Sequence, residues 1–175
     1  MSERGRVRSG TVNDVPLLAA IELAAGRLFP PSRIPDPDHT YPVAELMRAA
    51  NEGLLFVVEA DGAVVGFATC SRTGDRLHLD EVSVHPEQGR RGYGRALVQR
   101  VIEAAREREL VGVSLTTFAD IAWNGPFYAS MGFSEVAESE QDRVLIDALA
   151  SERALGMTER VAMILTINEP VSDGG

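Results

Sequence analysis

The chain has 175 residues and a mass of 18.9 kDa, with 45% hydrophobic and 25% charged residues, a composition that excludes a disordered chain, a collagen or a coiled coil. Seventeen Lys+Arg against twenty-six Asp+Glu give a net charge of −9 and a pI near 4.8, which argues against a phosphate backbone as partner. No apolar run approaches the roughly 20 residues of a membrane helix, the basic start MSERGRVRSG has no apolar segment behind it, and the single Cys70 forms no internal disulfide. A reducing cytoplasm is the expected home, and one domain over 1–175 is expected, ordered at about 4–167 with a frayed tail at 168–175.

In chain order, residues 4–8 read as a short edge strand. Thr11 precedes Asp14 by three, as in a capping box, and Leu17, Leu18, Ile21, Ala25 and Leu28 follow at helical spacing. The stretch from Phe29 to Pro42 carries five prolines and reads as a loop. A second helix is predicted over Pro42–Asn51, with Val43, Leu46, Met47 and Ala50 on one face. A meander follows: a strand over Leu54–Ala60, an Asp61-Gly62 hairpin turn, a return strand over Ala63–Cys70, a turn at Thr73-Gly74-Asp75 and a third strand over Leu77–His85.

A glycine-rich turn then opens a helix over Arg91–Arg108, with apolar residues at 97, 98, 101, 102, 104 and 105. Val111–Thr117 reads as a strand and Ala122–Met131 as a short helix stopped by Gly132. Phe133–Ala137 and Val161–Ile167 read as strands, with a helix over Arg143–Leu155 between them. The order β-α-α-β-β-β-α-β-α-β-α-β specifies an α/β chain with a mixed sheet and an antiparallel meander at its centre.

The segment Gln88-Gly89-Arg90-Arg91-Gly92-Tyr93-Gly94-Arg95 follows a strand and opens a helix. Such a turn exposes backbone N–H groups at the positive end of a helix dipole, which suits a phosphate. Arg90, Arg91 and Arg95 add cationic charge. No P-loop is present, and a dinucleotide fingerprint starting at Gly92 fails at Leu97. The alternative is a plain glycine turn with solvated arginines.

This segment, after Val82-Ser83-Val84-His85-Pro86, resembles the acetyl-CoA signature of the GNAT superfamily of N-acetyltransferases. The block Trp123-Asn124-Gly125-Pro126-Phe127-Tyr128, running on to Gly132-Phe133, resembles that family's later helix, at the expected separation. The resemblance covers about residues 4–167. It implies a central, mostly antiparallel sheet splayed between the third meander strand and the strand at 111–117, with flanking helices.

It further implies transfer of an acetyl group from acetyl-CoA to a primary amine on a small molecule or a peptide. Acetyl-CoA would be the cosubstrate, with no metal, no nucleic acid, no membrane and a possible homodimer. The alternative is a non-catalytic module that binds or senses acyl-CoA. The backbone of Val82 and Val84 would hold the pantetheine arm. The N–H groups of Gln88, Gly89, Arg90, Arg91, Gly92, Tyr93, Gly94 and Arg95 would hold the pyrophosphate, and Asn124 and Phe127 would line the arm. Many members carry their Asn three places earlier, where this chain has Ile121, so the role of Asn124 is open.

Acetylation of an amine needs a proton acceptor for the amine and favours a proton donor for the departing thiolate. The resemblance makes Tyr128 the acid candidate, against simple aromatic packing. Glu81 is the base candidate because it neighbours Val82. In a regular strand Asp80 would face the other way, and a bulge would change that phase. His78, His85 and a water relay are alternatives to Glu81. His39, His78 and His85 lack metal-ligand spacing, and Cys70 reads as a buried apolar residue. Trp123 reads as a pocket wall, Phe29, Phe56 and Phe67 as core, and the loop at 29–42, with Arg33 and Tyr41, as acceptor pocket or plain surface.

Overall fold

A computed structural model describes residues 5–168. Seven strands form one sheet in the order β1-β2-β3-β4-β5-β7-β6. They are β1 (Arg6–Ser9), β2 (Leu55–Ala60), β3 (Ala63–Thr73), β4 (Arg76–Val84), β5 (Gly112–Phe118), β6 (Ser134–Glu135) and β7 (Arg160–Thr166). Five helices accompany them: α1 (Val15–Gly26), α2 (Val43–Asn51), α3 (Tyr93–Glu107), α4 (Gly125–Ser130) and α5 (Arg143–Ala154). Every strand pair is antiparallel except β4–β5.

The meander closes as its turn residues dictate. Asp61 and Gly62 both take positive φ, 51° and 77°, which matches a two-residue hairpin turn to the sheet twist. The edge strand foreseen at 4–8 is β1 at one sheet edge, with Arg4 outside the described residues. α3 buries Leu97, Val98, Val101, Ile102, Ala104 and Ala105 on the sheet, the full apolar set read from spacing.

Several expectations need correction. Asp14 stands at the N-cap of α1, and its carboxylate accepts from the Thr11 N–H (2.8 Å) and hydroxyl, so half of a capping box forms. Leu17 and Leu28 are exposed, because α1 faces the sheet through Val15, Leu18 and Ile21. α2 buries Leu46 and Ala49 and leaves Val43 and Met47 exposed, a rotation of the face expected from sequence. α4 is shorter than its apolar pattern, because residues 122–124 form a turn that Asn124 closes. β6 shrinks to Ser134–Glu135. Phe56 and Phe67 are buried, but Phe29 is only partly so and packs on Phe118 rather than in the main core. Asn168 is tied to the backbone of Leu110 and Val111, and 169–175 lie outside the described residues.

Candidate active site

β4 and β5 run parallel for three pairs only, Arg76–Gly112, Leu77–Val113 and His78–Ser114. β4 continues to Val84 and β5 to Phe118, so the sheet opens between them. The His85 N–H donates to the Val65 carbonyl on β3 (2.8 Å). Backbone alternation then turns the N–H groups of Ser83 and Glu81 towards β3, and those of Val82 and Val84 towards the opening.

The faces of β4 follow from register. Arg100 of α3 lies over the Phe56 ring at 4.9 Å, which places Phe56 on the α3 side. Phe56 pairs with Ala68, and Ala68 with Val82, so Val82 faces α3 and its neighbours Glu81 and Ser83 face α1. A bulge lies beside them: Thr69 pairs with Glu81 and Cys70 with Leu79, leaving Asp80 unpaired. Without it Leu79 and Glu81 would share a face. With it, Leu79 stays in the core on the α3 side and the Glu81 carboxylate emerges on the other.

Glu81 accepts a hydrogen bond from the Ser83 hydroxyl (2.8 Å). Burial raises its pKa well above the ordinary carboxylate range, and the nearby Glu22 carboxylate raises it further. Glu22 itself is raised by burial, although both its oxygens accept from the Tyr41 backbone N–H at 3.0 Å. Asp80 sits near Ser71, Tyr41 and Arg48, and burial pushes it up to about 6. His78 is buried against Ser114 (2.9 Å), and burial lowers it, which suits a neutral packed histidine.

α4 forms the opposite wall. Gly125 lets its first turn sit on the end of β5, since a Cβ there would stand 2.8 Å from the Ala119 carbonyl oxygen. The Thr117 hydroxyl donates to Asn124 Oδ1 (2.8 Å), and the Tyr128 N–H donates to the Asn124 carbonyl (3.0 Å). The Asn124 amide nitrogen is thereby left available. The Tyr128 ring lies edge-on to Phe127 and Phe133. Burial, then the Glu81 charge, raises the Tyr128 hydroxyl above its usual pKa, and Arg160 opposes the shift. Glu81 and Tyr128 therefore feel each other across the opening.

The glycine turn ends beside it. A 3-10 turn over Pro86–Gln88 leads to Arg90 at φ 60° and Gly92 at φ 81°. The first bond of α3 runs from the Ala96 N–H to the Gly92 carbonyl, so the N–H groups of Tyr93, Gly94 and Arg95 have no partner within the helix. A Cβ at Gly92 or Gly94 would meet no protein atom within 4 Å. The Gln88 Oε1 is buried without a partner. Arg90 and Arg91 are exposed, whereas the Tyr93 ring is buried against Gly5, leaving only its backbone for a ligand. Arg95 donates to the Ser130 hydroxyl (2.9 Å) and lies over the Phe127 ring at 5.5 Å, which joins α3 to α4.

The loop after α1 is fastened to the end of β5 and the turn that follows it. Arg33 makes two bonds to the Asp120 carboxylate. Phe29 packs on Phe118 (5.5 Å) and on the half-exposed Trp123 (5.8 Å). Arg160 lies over Phe118 at 4.5 Å and donates twice to Glu152 of α5, at 3.0 and 2.9 Å. Sequence reasoning did not single out Glu22, Arg160, Glu152 or Thr69. Only Glu22 left a local signal: it is the one acidic residue within α1, beside the stripe of Val15, Leu18 and Ile21.

A profile of the acetyltransferase (GNAT) family matches residues 21–133. The chain is 31% identical over 100 residues to the [ribosomal protein bS18]-alanine N-acetyltransferase of Escherichia coli K12, covering 55% of this chain and 68% of that protein. The PaiA N-acetyltransferase of Thermoplasma acidophilum, solved in complex with coenzyme A, superposes with a TM-score of 0.72 at 13% identity, covering 94% of this chain and all (100%) of the other. YncA of Salmonella typhimurium, a putative acetyltransferase solved with acetyl-CoA, gives 0.69 at 19% identity, with 97% and 98% covered. Profile, relative and fold agree, and the chain belongs to the GNAT family of acetyltransferases.

Proposed function

We propose that this protein transfers an acetyl group from acetyl-CoA to a primary amine by direct attack, with Glu81 as general base and Tyr128 as general acid. The observation that carries the reading is the opening between β4 and β5, with Glu81 on one wall, Tyr128 on the other and a glycine cradle at its end. The cradle fits the cosubstrate: unpartnered N–H groups at the start of α3, two glycines whose missing Cβ atoms leave space, and exposed Arg90 and Arg91 suit a pyrophosphate. The outward N–H groups of Val82 and Val84 suit an extended pantetheine arm, as a strand edge does. The free amide of Asn124 and the ring of Phe127 line the same arm.

Acetyl-CoA supplies the thioester carbonyl that is attacked and the thiolate that leaves. Glu81, held by Ser83, takes a proton from the incoming amine, and its raised pKa makes it a stronger base than an exposed carboxylate. Tyr128 stays protonated at neutral pH and gives its proton to sulfur. The Val82 N–H donates to the carbonyl oxygen. The Escherichia coli relative is named for an alanine of a ribosomal protein, and we take a polypeptide N-terminal amine as the acceptor class. Acetyl-CoA with a panel of alanine-first peptides, followed by thiol release, tests the reading; thiol release no faster than the uncatalysed rate with every amine refutes it.

A further inference from the structure

The buried stripe of α1 runs Val15, Leu18 and Ile21, and Glu22 stands beside it, partly buried, one turn after Leu18. A partly buried carboxylate there is costly unless something pairs with it. Its two oxygens share one backbone N–H, that of Tyr41. Beneath α1, β4 presents Glu81 on the same face, held only by the Ser83 hydroxyl. Directly across the ladder from Glu81 stands Thr69, 1% exposed, with a buried hydroxyl that has no partner.

The charged and titratable groups around this spot come from every wall: His39 and Tyr41 from the loop, Asp80 from β4, Tyr128 from α4, Arg160 from β7 and Glu152 from α5. Arg160, whose charge lowers the Glu81 pKa, is already occupied by Glu152. Two partly buried carboxylates close enough for the charge of Glu22 to raise Glu81 favour a shared proton or a bound cation between them. A primary ammonium carries three N–H donors, and two carboxylates and a hydroxyl offer three acceptors.

We propose that Glu22, together with Glu81 and the Thr69 hydroxyl, forms the receptor for the acceptor's primary ammonium, and that Glu22 is a specificity-determining residue. This rests on the acetyltransferase reading and deepens it. Glu81 takes one of the three ammonium protons. The nitrogen bonds to the acyl carbon as the carbon–sulfur bond breaks. Tyr128 gives its proton to sulfur and regains one from nitrogen as the amide forms, and Glu81 returns its proton to water. An N-methylated amine has one donor fewer and leaves an acceptor unpaired.

The test is Glu22→Gln, whose side-chain oxygen still accepts from Tyr41. Carbon NMR of protein labelled at the glutamate carboxyls follows the Glu81 titration, assigned with Glu81→Gln. Removing the Glu22 charge lowers the Glu81 midpoint, and propylammonium chloride lowers it in the wild type whereas 1-propanol does not. With an alanine-first peptide, Glu22→Gln raises KM for the amine about 10- to 100-fold, as for a lost bond to a charged group, and kcat changes less. The thermal shift given by acetyl-CoA persists. An unmoved Glu81 midpoint overturns the proposal, and so does loss of the acetyl-CoA shift, the mark of a purely structural Glu22. If the wild type acetylates no peptide, the polypeptide acceptor class falls, while the carboxyl titration still decides the receptor.

Discussion

Gly94→Ala separates the stability of the fold from the binding of acetyl-CoA. Gly94 is the second residue of α3, its φ is not positive, and an added methyl meets no protein atom within 4 Å. In the free protein the change removes a flexible residue from a helix, which stabilises by roughly 0.5–1 kcal/mol. At roughly 2–4 °C per kcal/mol for a domain of this size, Tm rises by about 1–4 °C. The Cα–Cβ bond of a helical residue tilts towards the helix N-terminus, so the new methyl projects into the cradle formed by Gly92 and the free N–H groups of the first turn. At one hundred times its Kd, acetyl-CoA stabilises the wild type by about 2.7 kcal/mol. That is a shift of roughly 5–11 °C on the same scale. The variant loses most of this shift while gaining stability without ligand. Thermal unfolding of both proteins across an acetyl-CoA titration reads both effects. A variant that keeps the wild-type shift refutes the cradle.

Tyr128→Phe keeps the ring contacts with Phe127 and Phe133, so the acetyl-CoA thermal shift persists while kcat falls by about 100-fold, the low end for a general acid because a thiol leaves well unassisted. Steady-state kinetics at saturating acetyl-CoA checks it. Glu81→Gln abolishes the acidic limb of the kcat/KM profile, which in the wild type lies above the ordinary carboxylate range. Because the folded-state pKa of Glu81 is raised, its ionisation destabilises the fold. The Glu81→Gln variant therefore matches the wild type in stability below about pH 4.3, the unfolded value, and gains on it as pH rises through the raised folded value, as denaturant titrations at several pH values would record. Gly125→Ala presses a Cβ onto the Ala119 and Phe118 carbonyl oxygens at 2.8 and 3.1 Å; it costs about 1–3 kcal/mol and lowers kcat by displacing Tyr128. Calorimetry and turnover together check that coupling.

Much of this site was readable because it is local in the chain. The glycine turn, the first turn of α3 and the Phe127-Tyr128 pair each lie within a few consecutive residues, where conformational preference and helical spacing act directly. Glu81 was nameable but not placeable. Its face depends on a bulge, which depends on how β3 and β4 pair, and no single strand carries that information. Arg160, Glu152 and Thr69 were invisible for the same reason: α5, β7 and β3 bring them in from distant parts of the chain. α2 misled because its exposed Val43 and Met47 satisfy helical periodicity as well as its buried Leu46 does.

The bulge also explains how one strand would serve two substrates of opposite charge. Val82 faces α3, the side on which the turn carries Arg90, Arg91 and the positive end of a helix. Glu81, one residue earlier, faces α1 and the carboxylate of Glu22. On the proposed reading an anionic cosubstrate would be drawn to the first side and a cationic amine to the second, and the two would meet where β4 and β5 part. A regular strand would put Glu81 on the face of Leu79, inside the apolar core under α3, where its charge would be unsupportable. One extra residue, Asp80, avoids that conflict by keeping Leu79 packed while turning Glu81 out. The net charge of −9 then suits the amine side, and the arginines at the turn supply the local exception that a phosphate requires.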